Sequence, residues 1–446
     1  MTRNFLAGII ALLLFSCRDA GHRDPGKEIT ETHERISAAA LQQRCNEELT
    51  GVIVYDILSP PVASRIYAYS NLAYYEAIRP AYPALPSLLP LLRGFDTLRV
   101  AAPSETNTSM AAALAFLKVA HALSFSKDSI AAAEKRTEAL FHTLPESVQA
   151  SSRNWADSIA AVILRRAATD RYKKTRGMPR YSVFGEKGKW QQTPPEYADA
   201  TEPNWRLIEP LLMDSAAAFR PPPPPPYDLR KGSLFHKELM EVYQIRKNLT
   251  KEQDTIARFW DDNPFVTEHR GHLTFANKKM TPVGHWMGII GILCGQANQN
   301  EWKGVLAHTL CAAAIFDGFI SCWEEKYHSV KVRPVTVIRE LIESEWEPLL
   351  QTPSFPEYTS GHSVISAAAA VTAEHILGKD LAFTDTTELK YLGLSRTFPS
   401  IMAASDEAGI SRLYGGIHFN SAVRYGKEQG AGIGKIYCRL YDRINR

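Results

Sequence analysis

The stretch Pro356-Glu357-Tyr358-Thr359-Ser360-Gly361-His362-Ser363 ends a proline-rich turn and opens an apolar segment. Ser360 is a strong helix N-cap, Gly361 lets backbone come close to a ligand, and the run 364–377 reads as a helix stopped by Gly378. The first N–H groups of such a helix have no intrahelical acceptor. They face any bound oxyanion, so the junction reads as an anion site with the proton-exchanging ring of His362 beside it.

Working outward, two further clusters offer oxyanion ligands. Upstream, a helical reading of 301–325 puts Trp323 and Lys326 on one face, with Phe319 extending it. Seven residues later comes Arg333, and Pro334 is read as forcing the chain out of helix. A lysine point charge and a guanidinium fork suit an anion with several oxygens. Downstream stands Ser411-Arg412-Leu413-Tyr414-Gly415-Gly416-Ile417-His418-Phe419, where Arg412 offers another clamp and the glycine pair folds the chain so that His418 points back. Singly, such residues are ordinary surface chemistry. In order, the three clusters read as one oxyanion cage.

The rest of the chain is helical. Of 446 residues, 45% are hydrophobic and 22% charged, which fits a folded globular protein. The net charge of +3, with no dense Lys/Arg stripe, argues against nucleic acid as a partner. Apolar residues at three- and four-residue steps predict helices over 62–78, 110–125, 129–144 and 151–169, and later over 231–249, 251–260, 281–296 and 301–325. The expected fold is all-α, with helical bundles packed as two bundles in one large globular unit. Segment 171–205 reads as a long ordered loop. Six prolines, Pro221 to Pro226, read as a polyproline connector over 221–227, between a first bundle at 36–220 and a second at 228–446. The apolar run 301–325 contains His308 and Asp317, so it reads as a buried core helix, and apart from the signal no membrane span is expected.

The N-terminus reads as a lipoprotein signal: Arg3, the apolar run 5–15, then Ser16 before Cys17. A signal over 1–17 would leave Cys17 as the lipid-bearing N-terminus. A flexible tether over 18–35 would follow, and the protein would be anchored to a membrane of the cell envelope, outside the cytoplasm, on the periplasmic or outer-membrane face. Cys45, Cys294, Cys311, Cys322 and Cys438 match no common zinc spacing and read as free thiols rather than a disulfide framework.

These residues resemble the superfamily of type 2 phosphatidic acid phosphatases and vanadium-dependent haloperoxidases. Its signature is Lys, six residues, Arg-Pro; then Pro-Ser-Gly-His; then Ser-Arg, five residues, His. Here it stands as Lys326 to Arg333-Pro334, Ser360-Gly361-His362, and Ser411-Arg412 to His418. The motifs occupy roughly the last quarter of the chain, and the helical first half resembles the soluble bacterial haloperoxidase-like branch. There the resemblance implies vanadate bound by Lys326, Arg333, Ser360, Gly361 and Arg412, with His418 as the protein ligand to vanadium and His362 as the proton-transfer residue. Hydrogen peroxide and halide would be the substrates, and a hypohalous species the product. In the phosphatase branch His418 would attack the phosphorus of a phosphate monoester to form a phosphohistidine, and His362 would protonate the leaving group, with no cofactor. Trp323 and Phe355 stand where chloroperoxidase-like members line the halide site, which favours the haloperoxidase reading. A third reading is a non-catalytic oxyanion-binding lipoprotein; keeping both histidines argues against it.

Two positions depart from the family pattern. Thr359 replaces a Pro before Ser360, and Ala422 stands where an Asp is often found after the last His, so another group must orient His418. Asp261 or Asp262 could orient Arg412 or His362, although a surface loop carboxylate is the preferred reading. His285 reads as structural, with a place at the pocket entrance as the alternative, and His328 as merely nearby.

Overall fold

The computed structural model describes residues 36–96, 101–183, 185–270, 272–276, 278–296 and 301–445. The signal, the tether and Cys17 lie outside them. Helices start where the sequence caps them: Ser37, Asn107, Ser233, Thr250, Ser360 and Ser400 each accept a hydrogen bond from a first-turn N–H, worth about 1 kcal/mol apiece. The first six helices are α1 Ala38–Asp56, α2 Pro60–Ile78, α3 Thr108–Leu123, α4 Lys127–Ala139, α5 Glu146–Thr169 and the short α6 Tyr172–Arg176. Then come α7 Leu234–Lys247, α8 Lys251–Phe259, α9 Pro282–Gln296, α10 Glu301–Ser329 and α11 Pro334–Leu341. The chain closes with α12 Gly361–Leu377, the short α13 Leu389–Leu392, α14 Ile401–Tyr414 and α15 Asn420–Ile444. Among the described residues the strands form two antiparallel hairpins, β1 Thr267–Arg270 with β2 Leu273–Ala276 and β3 Phe383–Asp385 with β4 Arg396–Phe398. The fold is all-α, as expected.

The core is organised on α10, whose residues Gly304 to Trp323 are all buried. It packs on α2 and on α12, so one apolar cluster runs from α1 to α15. Its length and hydropathy would suffice to cross a membrane, yet its apolar window is wholly buried inside the protein, as a core helix should be. Asp317, in mid-helix, accepts N–H bonds from Leu211, Leu212 and Met213 at 2.7–3.1 Å and the Tyr437 hydroxyl at 2.9 Å. A buried carboxylate thus fastens the loop before the proline run and α15 to the central helix.

Local readings need three corrections. Pro334 begins a helix instead of ending one: Arg333 is the N-cap of α11 with proline at the first helical position, where its missing N–H costs nothing. Within the loop 171–205, residues 172–176 form α6. Helix α10 runs past Glu325 to Ser329, which puts Lys326 inside its last turn. The prolines at 221–226 carry neither helix nor strand. Pro222 accepts the Tyr358 hydroxyl and Pro225 the Lys331 ammonium, so this run is bonded to the segments that build the site. The five cysteines among the described residues are free.

Helix α15 meets α12 through Gly426, Gly430 and Gly434, spaced one turn apart. A Cβ on Gly430 would collide with the Val364 carbonyl oxygen, which is backbone and cannot move aside, whereas a Cβ on Gly51 in α1 meets nothing. Gly430→Ala is therefore expected to cost about 1–3 kcal/mol of stability, and Gly51→Ala to add about 0.5–1 kcal/mol. Denaturant unfolding of the two variants checks the contrast.

Candidate active site

Four junctions deliver the functional side chains to one place. The last turns of α10 carry Trp323 and Lys326; Arg333 caps α11; Ser360, Gly361 and His362 open α12; and Arg412 lies in the last turn of α14. Gly416, at φ +75°, turns the chain sharply after α14 and returns His418 to the cluster. Trp323, Phe355, Gly361, His362, Arg412 and His418 line one pocket, together with Asp261, Asp262 and Phe319. Lys326, Arg333 and Ser360 lie behind its wall. The structure therefore brings every motif residue to this site, but in two layers.

The three cations are buried. Lys326 Nζ donates to the carbonyls of Pro356, Glu357 and Thr359 at 2.9, 3.1 and 2.5 Å, which braces the loop that leads into α12. Arg333 donates to the Phe355 and Ile417 carbonyls, and its Nη2 is buried without a partner. Arg412 donates to Ser411 Oγ and to the carbonyls of Ala257, Trp260 and Asp261. Loss of water brings Lys326 down to about 8 and Arg333 to about 10, and it lowers Arg412 as well. Carbonyl partners satisfy hydrogen bonds but neutralise no charge. The charge of the cations is met in part by Asp261, Asp262 and Glu357, which act on Arg412 and Arg333.

His418 is oriented by Glu357, the residue that Ala422 could not supply. Glu357 Oε1 lies 2.9 Å from His418 Nδ1 and also accepts the Phe419 N–H at 2.9 Å. With Nδ1–H donated to the carboxylate, Nε2 keeps its lone pair, and Arg333 Nη1 stands 3.2 Å from it. Burial, then Arg333, Lys326 and Arg412, hold the His418 ring well below the usual imidazole range, so it is neutral. Burial pushes the Glu357 carboxyl up to about 7 against the pull of Arg333. Glu357 was inside the opening stretch of the sequence, three residues before the N-cap. Its one local signal was a carboxylate in a segment otherwise read as an anion site.

His362 faces a second network. Its Nε2 lies 3.5 Å from Asp262 Oδ2, too long for a hydrogen bond, and is buried without a partner. Burial and then Arg412 lower the ring to about 4, so it is neutral too. Asp261 and Asp262 are buried, not surface loop carboxylates, because Lys279 bonds the first and His285 the second. Asp262 accepts from His285 Nδ1 at 3.0 Å, while His285 Nε2 reaches Asp385 at 2.9 Å and the ring stacks on Trp260 at 4.4 Å. Two carboxylates thus raise His285 well above its ordinary range despite burial. His285 does not line the pocket: it is the buried clamp that holds Asp262. Sequence reasoning could not find this pairing, since its members come from the α8–β1 loop, α9 and β3.

The aromatic wall is compact. Trp323 and Phe355 rings are 4.9 Å apart and Phe319 lies 5.4 Å from Trp323. The Lys326 ammonium sits 4.9 Å from the Phe355 ring centre and the Arg333 guanidinium 5.1 Å from it.

The crystal structure of a bacterial vanadium-dependent iodoperoxidase matches 92% of this chain and 98% of its own, at 39% identity and a TM-score of 0.85. The chain belongs to the vanadium-dependent haloperoxidase family. It is an enzyme of that family, within the superfamily that the motifs announce. Residues 341–446 also match the family model described as the VCPO second helical-bundle domain. A holo-type bacterial vanadium-dependent chloroperoxidase shares the fold at 17% identity and a TM-score of 0.66, covering 88% of this chain and 94% of its own. Its apo-type structure, also at 17% identity, gives a TM-score of 0.63 over 87% and 95%. Comparison with curated protein sequences gives no match.

Two outcomes are expected of this haloperoxidase-fold site. In Glu357→Ala, nitrogen NMR should show the His418 proton no longer confined to Nδ1, with activity down about 10–100-fold, and Glu357→Gln, which keeps an acceptor, should retain more. Sulfate, whose charge does not change near neutrality, should bind more tightly as pH falls. A bound anion opposes the depression of His362, so the protonated ring and the anion favour each other. Calorimetric titration over a pH series should show that trend in the wild type, with Lys326 and Glu357 setting it near neutrality, and His362→Ala should lose only the further tightening on the acid side.

Proposed function

We propose that this enzyme uses vanadate to oxidise iodide with hydrogen peroxide, giving hypoiodous acid and water: H2O2 + I− + H+ → HOI + H2O. The observation that carries the reading is a buried, unpartnered Arg333 Nη2 near the neutral Nε2 of His418, together with the Gly361 and His362 N–H groups that open α12. That donor set fits a tetraoxo anion: cations from Lys326, Arg333 and Arg412, amide N–H groups at Gly361 and His362, and a nitrogen lone pair at His418. When bound, vanadate supplies a Lewis-acidic centre that activates peroxide.

The chain's own residues do the rest. His418 would hold vanadium through Nε2, and Glu357 keeps that nitrogen unprotonated by taking the Nδ1–H. His362, neutral and facing Asp262, is placed to take up a proton at Nε2 and hand on the proton that the reaction consumes. Arg333, Arg412 and Lys326 stabilise the negative charge that gathers on oxygen. Trp323 and Phe355 form the halide wall. Apolar aromatic walls strip water from an anion, and that cost falls with ionic radius, so the largest halide enters most cheaply. This agrees with the iodoperoxidase as the relative of 39% identity. Anchorage of this activity at the cell envelope through Cys17 rests on residues 1–17 alone.

The test is to assay the purified enzyme with and without orthovanadate, for peroxide-dependent triiodide formation and for hydrolysis of an aryl phosphate. Vanadate-dependent triiodide formation is expected, falling by about 10²–10³ in His418→Ala, the scale of losing one preorganised group at a reacting centre. Aryl phosphate hydrolysis inhibited by vanadate, with no triiodide, would favour the phosphohistidine reading instead. Oxyanion binding without either activity would leave the binding-protein reading.

A further inference from the structure

His362 is faced by Asp262, and Asp262 is held by a ring that never reaches the pocket. His285 donates from Nδ1 to both Asp262 oxygens, at 3.0 and 3.1 Å, and from Nε2 to Asp385 Oδ2 at 2.9 Å. Glu388 Oε1 lies 3.9 Å from the same Nδ1, and all four groups are buried. A neutral imidazole has one N–H and one lone pair. With a carboxylate at hydrogen-bond distance from each nitrogen, either lone pair would face negative oxygen, so the ring carries both protons and a positive charge. Burial and then Asp262 push the Glu388 carboxyl up to about 8, so near neutrality it adds little charge of its own.

The ring is held on every side. It stacks on Trp260 at 4.4 Å with 17° between the planes, and the Phe259 ring meets it edge-on at 5.3 Å. Trp260 is fixed in turn by its Nε1 on Glu407 at 3.1 Å, and its carbonyl accepts Arg412 Nη2. Asp385 is fixed from behind by the Thr387 N–H at 2.9 Å and the Thr387 hydroxyl at 2.6 Å. Asp262 itself stands at φ +42°, a backbone that a residue with a β-carbon keeps only where its surroundings hold it. The result is a carboxylate that lines the pocket and offers His362 Nε2 one oxygen from 3.5 Å, while both oxygens already accept from His285. A bridge joining α9 to β3 would need neither the strained loop nor a carboxylate turned to the pocket.

We propose that His285 is a positioning residue for the acid–base step: a fixed cation that occupies both oxygens of Asp262 and so limits what that carboxylate gives to His362. The proposal rests on the reading of His362 as the proton-transfer residue. The charged groups facing His362 are Arg412, Asp262 and Asp261, with Lys279 bonded to Asp261. Those facing His285 are Asp262, Asp385 and Glu388. Arg412 opposes a proton on His362, and the two aspartates favour one. His285 weights this balance through Asp262, because its charge draws on the same two oxygens. Without it, Asp262 is free to close on His362 and hold the protonated ring. The clamp therefore keeps the proton on His362 loosely bound, ready to be handed on.

The test compares the wild type with His285→Gln, which keeps an amide donor and loses the charge. Ring-nitrogen NMR of the enzyme over a pH series is expected to place the His362 midpoint at about 4 in the wild type. In His285→Gln it should lie about one unit higher, the scale of an opposite charge brought into contact. The pH inflection of kcat for triiodide formation by the vanadate-loaded enzyme should move the same way, with the iodide KM as in the wild type, since His285 lies outside the pocket lining. Asp385→Asn leaves the ring and its stack in place while removing one counter-ion, and should give a smaller shift in the same direction. If His285→Gln does not fold, this second variant decides. A His362 midpoint that stays or falls in both variants would overturn the proposal, as would a lower kcat with an unchanged pH profile, which a structural bridge alone would give. No triiodide from the wild type would remove the iodide-oxidising reading instead, and the His362 titration would still decide the role of the clamp.

Discussion

Three cationic side chains held away from water around one pocket are the constraint on which this structure depends. Lys326, Arg333 and Arg412 donate most of their hydrogen bonds to backbone carbonyls, and burial lowers the affinity of all three for their protons. Nearby carboxylates offset them only in part: Asp261 and Asp262 act on Arg412 and Glu357 on Arg333, yet burial still holds both guanidinium groups below their ordinary range. A cluster of this kind is unstable in isolation and is tolerable only if the scaffold over-determines it. On the function proposed above an anion with several oxygens would complete it, with the Gly361 and His362 N–H groups at the start of α12 as further donors.

The helices supply that over-determination. Helix α10 brings Lys326 in from a core shared by both halves of the described chain, so its ammonium cannot swing out to solvent. The glycines of α15 let it lie close against α12, which fixes the N-terminus that carries Ser360, Gly361 and His362. The loop before α12 is braced by Lys326 from one side and by the proline run from the other, through the Tyr358 hydroxyl on Pro222. Glu357 rides on that same loop. Anion cage, loop and histidine orientation are therefore one mechanical unit, and charge and packing there cannot be varied separately.

How much of this was legible in the sequence depends on the range of the interaction that decides each feature. Helix periodicity and caps act within a few residues, so α2, α5, α8, α9, α10 and α12 could be read with small errors at their ends. The motif residues could be read because the family spacing encodes a geometry that no single residue states. Glu357 could not be assigned, because nothing local says that a carboxylate beside an N-cap will meet a histidine 61 positions later. Asp262 was read as solvent-facing for the same reason: its burial is decided by His285 and Asp385, which come from other elements. Pro334 misled because proline breaks a helix from inside yet starts one from its first position, and local sequence did not say which side of the boundary it occupied.

The central claim is that the buried cations and the Nε2 of His418 form one receptor for a tetraoxo anion. A crystal structure of the enzyme soaked with orthovanadate tests it most directly. The account predicts vanadate with vanadium bonded to His418 Nε2, its oxygens on the guanidinium groups of Arg333 and Arg412 and on the α12 amides, and His418 Nδ1 still on Glu357. Vanadate bound elsewhere, or held in this pocket with His418 turned away, would contradict it.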